Sequence, residues 1–373
     1  MAGLHPAGGR VARVLGAQVR DRPPRRDDGR RVDASSGSRG CQPRRAVRGS
    51  PVGGGLGDAS ASSPVGAQLL QREGDVMDGP VRWEDLRPDQ FVARRIARPV
   101  VYLPVGLCEP HGHVAALGLD THKARWLCER AAMRVGGIVA PTQGYHVHES
   151  GFHAAWLDDV VGDEVGGLAS LSPRAALHHF LYQLRAFANN AFRHAIVVTG
   201  HVGGSERDLA SWSAAFSERF PLSVIVTDDV TLSGERGDHA GRYEISALMH
   251  VAPELVDLTL LDRATRPGGL GRLALGDDAG DASPEHGRRV MERALERLCL
   301  LVEGLPRDPG PSASPMRGAI GFADVERLYA SLCASADSWV SSRPHDGQTA
   351  VAVDSPRRSY EYSEAAELGR GKE

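Results

Sequence analysis

The stretch LPVGLCEPHGHVAALGLD, residues 103–120, places Glu109, His111, His113 and Asp120 within twelve positions, just past an apolar run. Carboxylates and imidazoles are costly to bury, and they gather where burial is expected mainly when a cation sits among them. An aspartate can bridge two cations with its two oxygens, while a glutamate or a histidine each terminates one. Mixed histidine and carboxylate sets suit Zn²⁺, Mn²⁺ or Fe²⁺. Two such ions held close together would hold and activate a water for attack on a carbonyl carbon. The chemistry this implies is hydrolysis.

Further polar clusters follow later β-rich runs: His146, His148, Glu149 and His153; His201 with Gly203 and Gly204; Asp228 and Asp229; and Asp238, His239, Arg242 and Glu244. Plainer readings stand beside the functional ones. Asp120 could simply cap a helix that starts at Thr121, and His111 taken alone could be a hydrogen-bonded loop histidine. The histidines at 178 and 179 fall within a helical run, and His194 and His250 fall at element ends, so structural roles are expected of all four. Cys108 adjoins Glu109 but has no evident base partner.

These residues need a frame. RPVVYLPVG (98–106) reads as a strand, residues 121–137 as a helix closed by a glycine pair, and GIVAP (137–141) as a strand. Ser172 and Pro173 open the next helix as N-cap and first residue. That helix ends at Asn189 and Asn190, one of which is expected to take the left-handed terminal conformation. HAIVVTGH and LSVIVTDD are buried strands flanking a helix over 209–220, and a longer helix over 283–304 shows one apolar face. A shorter helix is expected around 322–332. Strand, helix, strand in this rhythm predicts an α/β fold with a mostly parallel central sheet covered by helices on both faces. In such sheets ligands sit beyond the carboxyl ends of the strands, where the polar clusters fall.

The ends differ from the middle. Residues 1–76 hold 13 arginines against 7 acidic residues, a formal +6, mixed with Gly, Pro and Ser, and lack apolar periodicity. They read as a disordered leader, and Met77 is a candidate alternative start. The chain as a whole is −3, so the remainder carries −9, which argues against nucleic acid as its main partner. Residues 77–335 are expected to form the folded domain and 336–373 a loose polar tail. No run is long and apolar enough for a membrane span or a secretory signal. The five widely spaced cysteines form no Cys-x-x-Cys pair, a reducing-compartment pattern, so the expected location is the cytoplasm.

The motifs LPVGLCEPHGHVAALGLD, TGHVGGS (199–205) and GDHAGRYEIS (237–246) resemble, in this order, those of the creatininase family of metal-dependent amidohydrolases. The resemblance spans roughly 98–304 and implies a three-layer α/β/α fold, two divalent ions per subunit, and a homo-oligomer, frequently a hexamer. It implies that Glu109 and His111 terminate different ions, that Asp120 bridges them, that His201 and Glu244 complete the ligands, and that His239 acts as acid or base toward the leaving nitrogen. The chain departs from the family's creatinine-cleaving members in having Gly203 where they carry an acidic ligand and Ser205 where an asparagine is common. HVHESGFHAAWLDD also replaces a usual Phe-Pro-Gly-Thr segment, and these departures argue against creatinine as substrate.

The expected activity is hydrolysis of another amide or cyclic amide. His146, His148, His153, Gly203, Gly204 and Arg242 are candidates for contacting the substrate. Gly203 and Gly204 could equally serve a tight turn, and Arg242 could equally lie on the surface. The alternative from a different class is a family member that binds a small molecule or partner without turnover. A phosphoesterase reading finds no Gly-Lys phosphate loop, with only two lysines in the chain.

Overall fold

The computed structural model describes residues 79–151, 153–154, 157, 169–261, 273–307 and 319–343. The expected leader, the alternative start at Met77 and the tail beyond 343 lie outside these residues. All described residues belong to the larger of the chain's two units, Ser62–Glu373.

Four parallel strands form the main sheet in the order β2-β1-β5-β6: β1 is Val100–Val105, β2 Ile138–Val139, β5 His194–Thr199 and β6 Ser223–Asp228. A separate short parallel pair, β3 (His146–Val147) and β4 (Ser170–Leu171), was not legible as strands because each is only two residues long. Among the described residues, the following helices accompany the strands. They are α1 (Pro88–Ala97), α2 (Leu119–Val135), α3 (Pro173–Asn189), α4 (Ser205–Arg219), α5 (Asp229–Ser233), α6 (Arg242–Val251), α7 (Pro284–Glu303) and α8 (Phe322–Cys333).

β1, β2 and β5 read as continuous apolar runs because both faces of the sheet are covered there. β6, expected to be buried, instead lies at the sheet edge with Ser223 exposed and Val224, Ile225 and Val226 half-buried. Val101, Leu103 and Val105 of β1 pack with α3, α4 and α8 through Phe180, Trp212 and Leu328. Val100 and Tyr102, pointing the other way, pack with α2, α6 and α7 through Leu127, Ala247 and Leu298. The result is the expected three layers. Full burial of a side chain such as Leu127 or Leu298 is worth roughly 1.5–3 kcal/mol relative to exposure.

Local chemistry sets most helix boundaries. Ser172 Oγ accepts from Ala175 N and Ser283 Oγ from His286 N, each with proline at the first helical position. The left-handed residue expected at Asn189 or Asn190 is instead Ala191, with φ 60°. Both asparagines stay busy elsewhere, since Asn189 pairs with the backbone of Ile320 and Asn190 Nδ2 donates to Ala186 O.

Residues 336–343, expected to begin a loose tail, are docked on the domain. Trp339 is buried edge-on against Trp212, and Asp208 accepts hydrogen bonds from Val340 N, Ser341 N and Ser341 Oγ. A buried carboxylate that satisfies two backbone N–H groups holds a segment that composition alone marks as polar. Among the described residues no helix is long and apolar enough to cross a membrane.

Candidate metal centre

In-register pairing brings the ends of three strands level: Val105 opposite Thr199, and Thr199 opposite Asp228. The residues just beyond supply Glu109 and His111 after β1, His201 after β5 and Asp229 after β6. Asp120 comes from the first turn of α2, which sits directly on the strand ends because two glycines admit it. A Cβ on Gly106 would lie 2.3 Å from Thr121 Cα, and one on Gly200 would lie 2.1 Å from Asp120 O.

Asp120 is not a helix cap. Gly118 occupies that position, and neither Asp120 side-chain oxygen has a hydrogen-bond partner although both are buried. Oδ1 lies 3.6 Å from His111 Nε2 and Oδ2 lies 3.5 Å from His201 Nδ1, so the two oxygens face opposite histidines. Two ligand trios share this aspartate, Glu109–Asp120–His201 and His111–Asp120–Glu244, each with its ligand atoms within 4.8 Å of one another.

The remaining candidate ligands are held from behind. His111 Nδ1 donates to Glu109 O at 3.0 Å, which leaves Nε2, buried and without a hydrogen bond, as the nitrogen facing Asp120 and Glu244. Glu244 enters on α6, whose start Asp238 shapes by accepting from the backbone N–H groups of Gly241, Tyr243 and Glu244. Glu244 Oε2 accepts from Ala240 N, and Ala240 takes φ 50°, a conformation costly for a residue with a side chain. His239 Nε2 donates to Pro110 O at 3.2 Å, which turns Nδ1 toward Glu109 Oε1, 3.9 Å away. Its ring stacks on His111 with centroids 5.0 Å apart, and it is the partly exposed member of the group.

The pocket calls for positive charge. Burial alone would pull His111 down, but Asp120, Glu244 and Glu109 lift it to about 9. His201 is likewise held well above the ordinary value, against burial, by Glu109 and Asp120. Burial pushes Asp120 up, yet His111, His201 and Lys123 bring it down to about 2. Orphaned buried oxygens and nitrogens, a shared aspartate and a mixed histidine–carboxylate donor set together fit divalent ions of the Zn²⁺, Mn²⁺ or Fe²⁺ class.

The other sequence candidates divide. The His146 ring lies beside His201, with centroids 6.3 Å apart, and pairs through Nε2 with Ser205 Oγ at 3.1 Å. Burial, then His201 and His148, push its pKa down to about 3. His148 and His153 also reach His201. Gly204 has φ 94° at the start of α4 and donates its N–H to Glu206, so it serves the turn. Gly203 makes room, since a Cβ there would meet His153 Nε2 at 2.7 Å and His201 Nε2 at 2.9 Å. Arg242 is exposed on the first turn of α6, its N–H bonded to Asp278. Cys108 is half-buried, and His178 pairs with Glu326 at the surface.

Sequence reasoning missed Lys123. Its ammonium is wholly buried behind the centre, 2.8 Å from Glu244, 3.3 Å from Asp229 and 3.6 Å from Asp120. The available signal was its rarity: it is one of two lysines in the chain and stands three residues after Asp120.

A parallel α/β sheet with buried carboxylates and imidazoles gathered beyond its strand ends is the architecture of a metal-binding α/β protein. The chain belongs to the creatininase family, whose model, described as creatinine amidohydrolase, matches residues 84–302. A curated relative, creatinine amidohydrolase of Pseudomonas putida, is 25% identical over 179 residues. That match covers 43% of this chain and 66% of the relative, just under two thirds of its length. Similar solved structures include one titled "Creatininase Mn" (24% identity, 60% of this chain and 98% of that one, TM-score 0.48). A mutant creatininase of the Zn-Zn type gives 24% identity, 61% and 98% coverage, and TM-score 0.48.

Proposed function

We propose that this protein is a metal-dependent hydrolase that cleaves the carbon–nitrogen bond of an amide or cyclic amide other than creatinine, using two divalent ions. One ion would be held by Glu109, Asp120 and His201, the other by His111, Asp120 and Glu244. The observation that carries the reading is Asp120, whose two oxygens, buried and without a hydrogen bond, face one histidine of each trio.

When bound, such ions supply Lewis acidity and acidify water. The chain's own residues do the rest. His239 presents Nδ1 to the centre while Pro110 O fixes its other nitrogen, so Nδ1 is the atom that can hand a proton to a leaving amine nitrogen. Partial exposure suits a group that must meet substrate. Glu109 and Asp120, both held below the ordinary carboxylate range, keep negative charge in a buried site, which attracts the cations and repels free anions. Gly203 in place of an acidic residue, Ser205, and the histidine-rich segment bearing His146, His148 and His153 argue for an amide other than creatinine.

The location proposed is cytoplasmic, and a homo-oligomer is the proposed assembly. Both rest on sequence character and family resemblance. The test is elemental analysis of the purified chain offered Mn²⁺ and, separately, Zn²⁺, with Asp120→Ala and His239→Ala in parallel. Near two Mn per chain, absent from Asp120→Ala and retained in His239→Ala, together with turnover in a cyclic-amide screen, is the expected result. Absence of both metals from the unmutated protein overturns the reading, and metal without turnover of any amide favours the non-catalytic binder.

A further inference from the structure

Beside the carboxylate centre lies a second constellation built on histidine alone. Nitrogens of His148, His153 and His201 fall within 4.8 Å of one another. The rings are tilted against one another: His148 and His201 stand at 82° with centroids 5.4 Å apart, His153 and His201 at 46° and 5.7 Å, and His148 and His153 at 36° and 4.8 Å. Stacked rings present faces to each other, whereas tilted rings can converge their nitrogen lone pairs on one point.

Glu109 organises two of the three. Its Oε1 lies 2.8 Å from His201 Nδ1 and its Oε2 lies 2.9 Å from His148 Nε2. His201 Nε2 and both ring nitrogens of His148 are buried without a hydrogen-bond partner. Imidazoles that stand beside a carboxylate and keep unbonded buried nitrogens suit metal ligation. His153 completes the trio through Gly203, whose missing side chain leaves the space in which His153 Nε2 and His201 Nε2 approach.

The segments that carry His148 and His153 are fastened at several points. Ser170 Oγ donates to His148 O, His153 N donates to Ser150 O, and Ser150 Oγ donates to Ser341 O. Gly151, with φ 55°, fits against the backbone of Ser341 and Arg343, a segment that Asp208 holds in turn. A site whose ligands sit on a pinned loop is preorganised.

We propose that His148, His153 and His201 form an auxiliary site for one borderline divalent ion of the Zn²⁺, Co²⁺, Ni²⁺ or Cu²⁺ class. Three imidazole nitrogens suit these ions, whereas Mg²⁺ and Mn²⁺ favour oxygen. The auxiliary site would share the His201 imidazole with the Glu109–Asp120–His201 trio, so the two occupancies would be linked. Asp120 is not a ligand here, which separates this inference from the proposed hydrolytic centre.

The test is Co²⁺ titration of the full chain carrying Asp120→Ala, followed by visible absorption and by calorimetry. One Co²⁺ per chain with ligand-field bands is expected. Adding His153→Ala or His148→Gln should weaken binding by more than the ~10–100-fold that follows loss of an outer partner, with circular dichroism unchanged. No Co²⁺ bound by Asp120→Ala, or binding that ignores both histidine substitutions, overturns the auxiliary site. The Mn²⁺ stoichiometry of the unmutated chain reports the hydrolytic centre separately.

Discussion

Lys123 Nζ stands 2.8 Å from Glu244 Oε1, and the lysine is wholly excluded from solvent. Burial would pull this amine down, but Asp229, Glu244 and Asp120 outweigh it and hold it well above the ordinary value. One glutamate oxygen thus answers to lysine while the other, Oε2, faces His111. Lys123→Met is expected to leave three buried carboxylates without their cation and to destabilise the chelated protein by about 3–5 kcal/mol. It should also release Glu244 and weaken the His111–Asp120–Glu244 position. Denaturant unfolding in chelator and Mn²⁺ stoichiometry check the two effects, and a variant unchanged in both would show that the lysine is a bystander.

Asp229 makes the opposite demand on pH. Burial lifts it from 3.8 to about 6, with Glu244, Asp228 and Asp120 adding to the rise and Lys123 opposing it. A group whose folded pKa is raised binds its proton more tightly when folded, so its stabilising contribution is full below 3.8 and is lost as pH climbs through about 6. The loss amounts to at most about 3 kcal/mol, taken as two pH units at about 1.36 kcal/mol each. In chelator, Asp229→Asn should therefore gain on the unmutated chain as pH rises from 4 to 6.5 (both ~). Parallel stability curves for the two proteins would refute this.

His239 is expected to matter for turnover and not for metal. On an amide substrate found by screening, His239→Ala should lower kcat by roughly 10²–10⁴-fold, with Mn²⁺ content and melting temperature near those of the unmutated chain. Loss of metal in the variant would instead make His239 a ligand, in keeping with its place beside Glu109 and His111.

Gly106 and Gly200 let the first turn of α2 rest on the ends of β1 and β5. Gly200→Ala would push a methyl group into Asp120 O and must move the helix. The expected cost is about 1–3 kcal/mol, accompanied by weaker metal binding as Asp120 leaves its place between the two trios. Thermal unfolding and metal affinity should fall together; a fall in stability alone would show that α2 can shift without disturbing the ligands.

The amino-acid sequence by itself determined the layered α/β arrangement and singled out the candidate metal-binding residues of its first motif. The reason is that apolar strand runs, Ser-Pro helix starts and terminal glycines are local signals, and Glu109, His111 and Asp120 lie within one short motif. It also determined the pairing of that motif with His201, His239 and Glu244, through the order of three motifs. Only tertiary structure decided what depends on residues distant in the chain. It removed Asp120 from a capping role, placed Lys123 and Asp229 behind the centre, and turned His148 and His153 toward His201. It also docked residues 336–343 on Asp208. Burial and charge pairing across different strand ends have no period and no spacing in sequence, because they arise only when the parallel register brings Val105, Thr199 and Asp228 level at one rim.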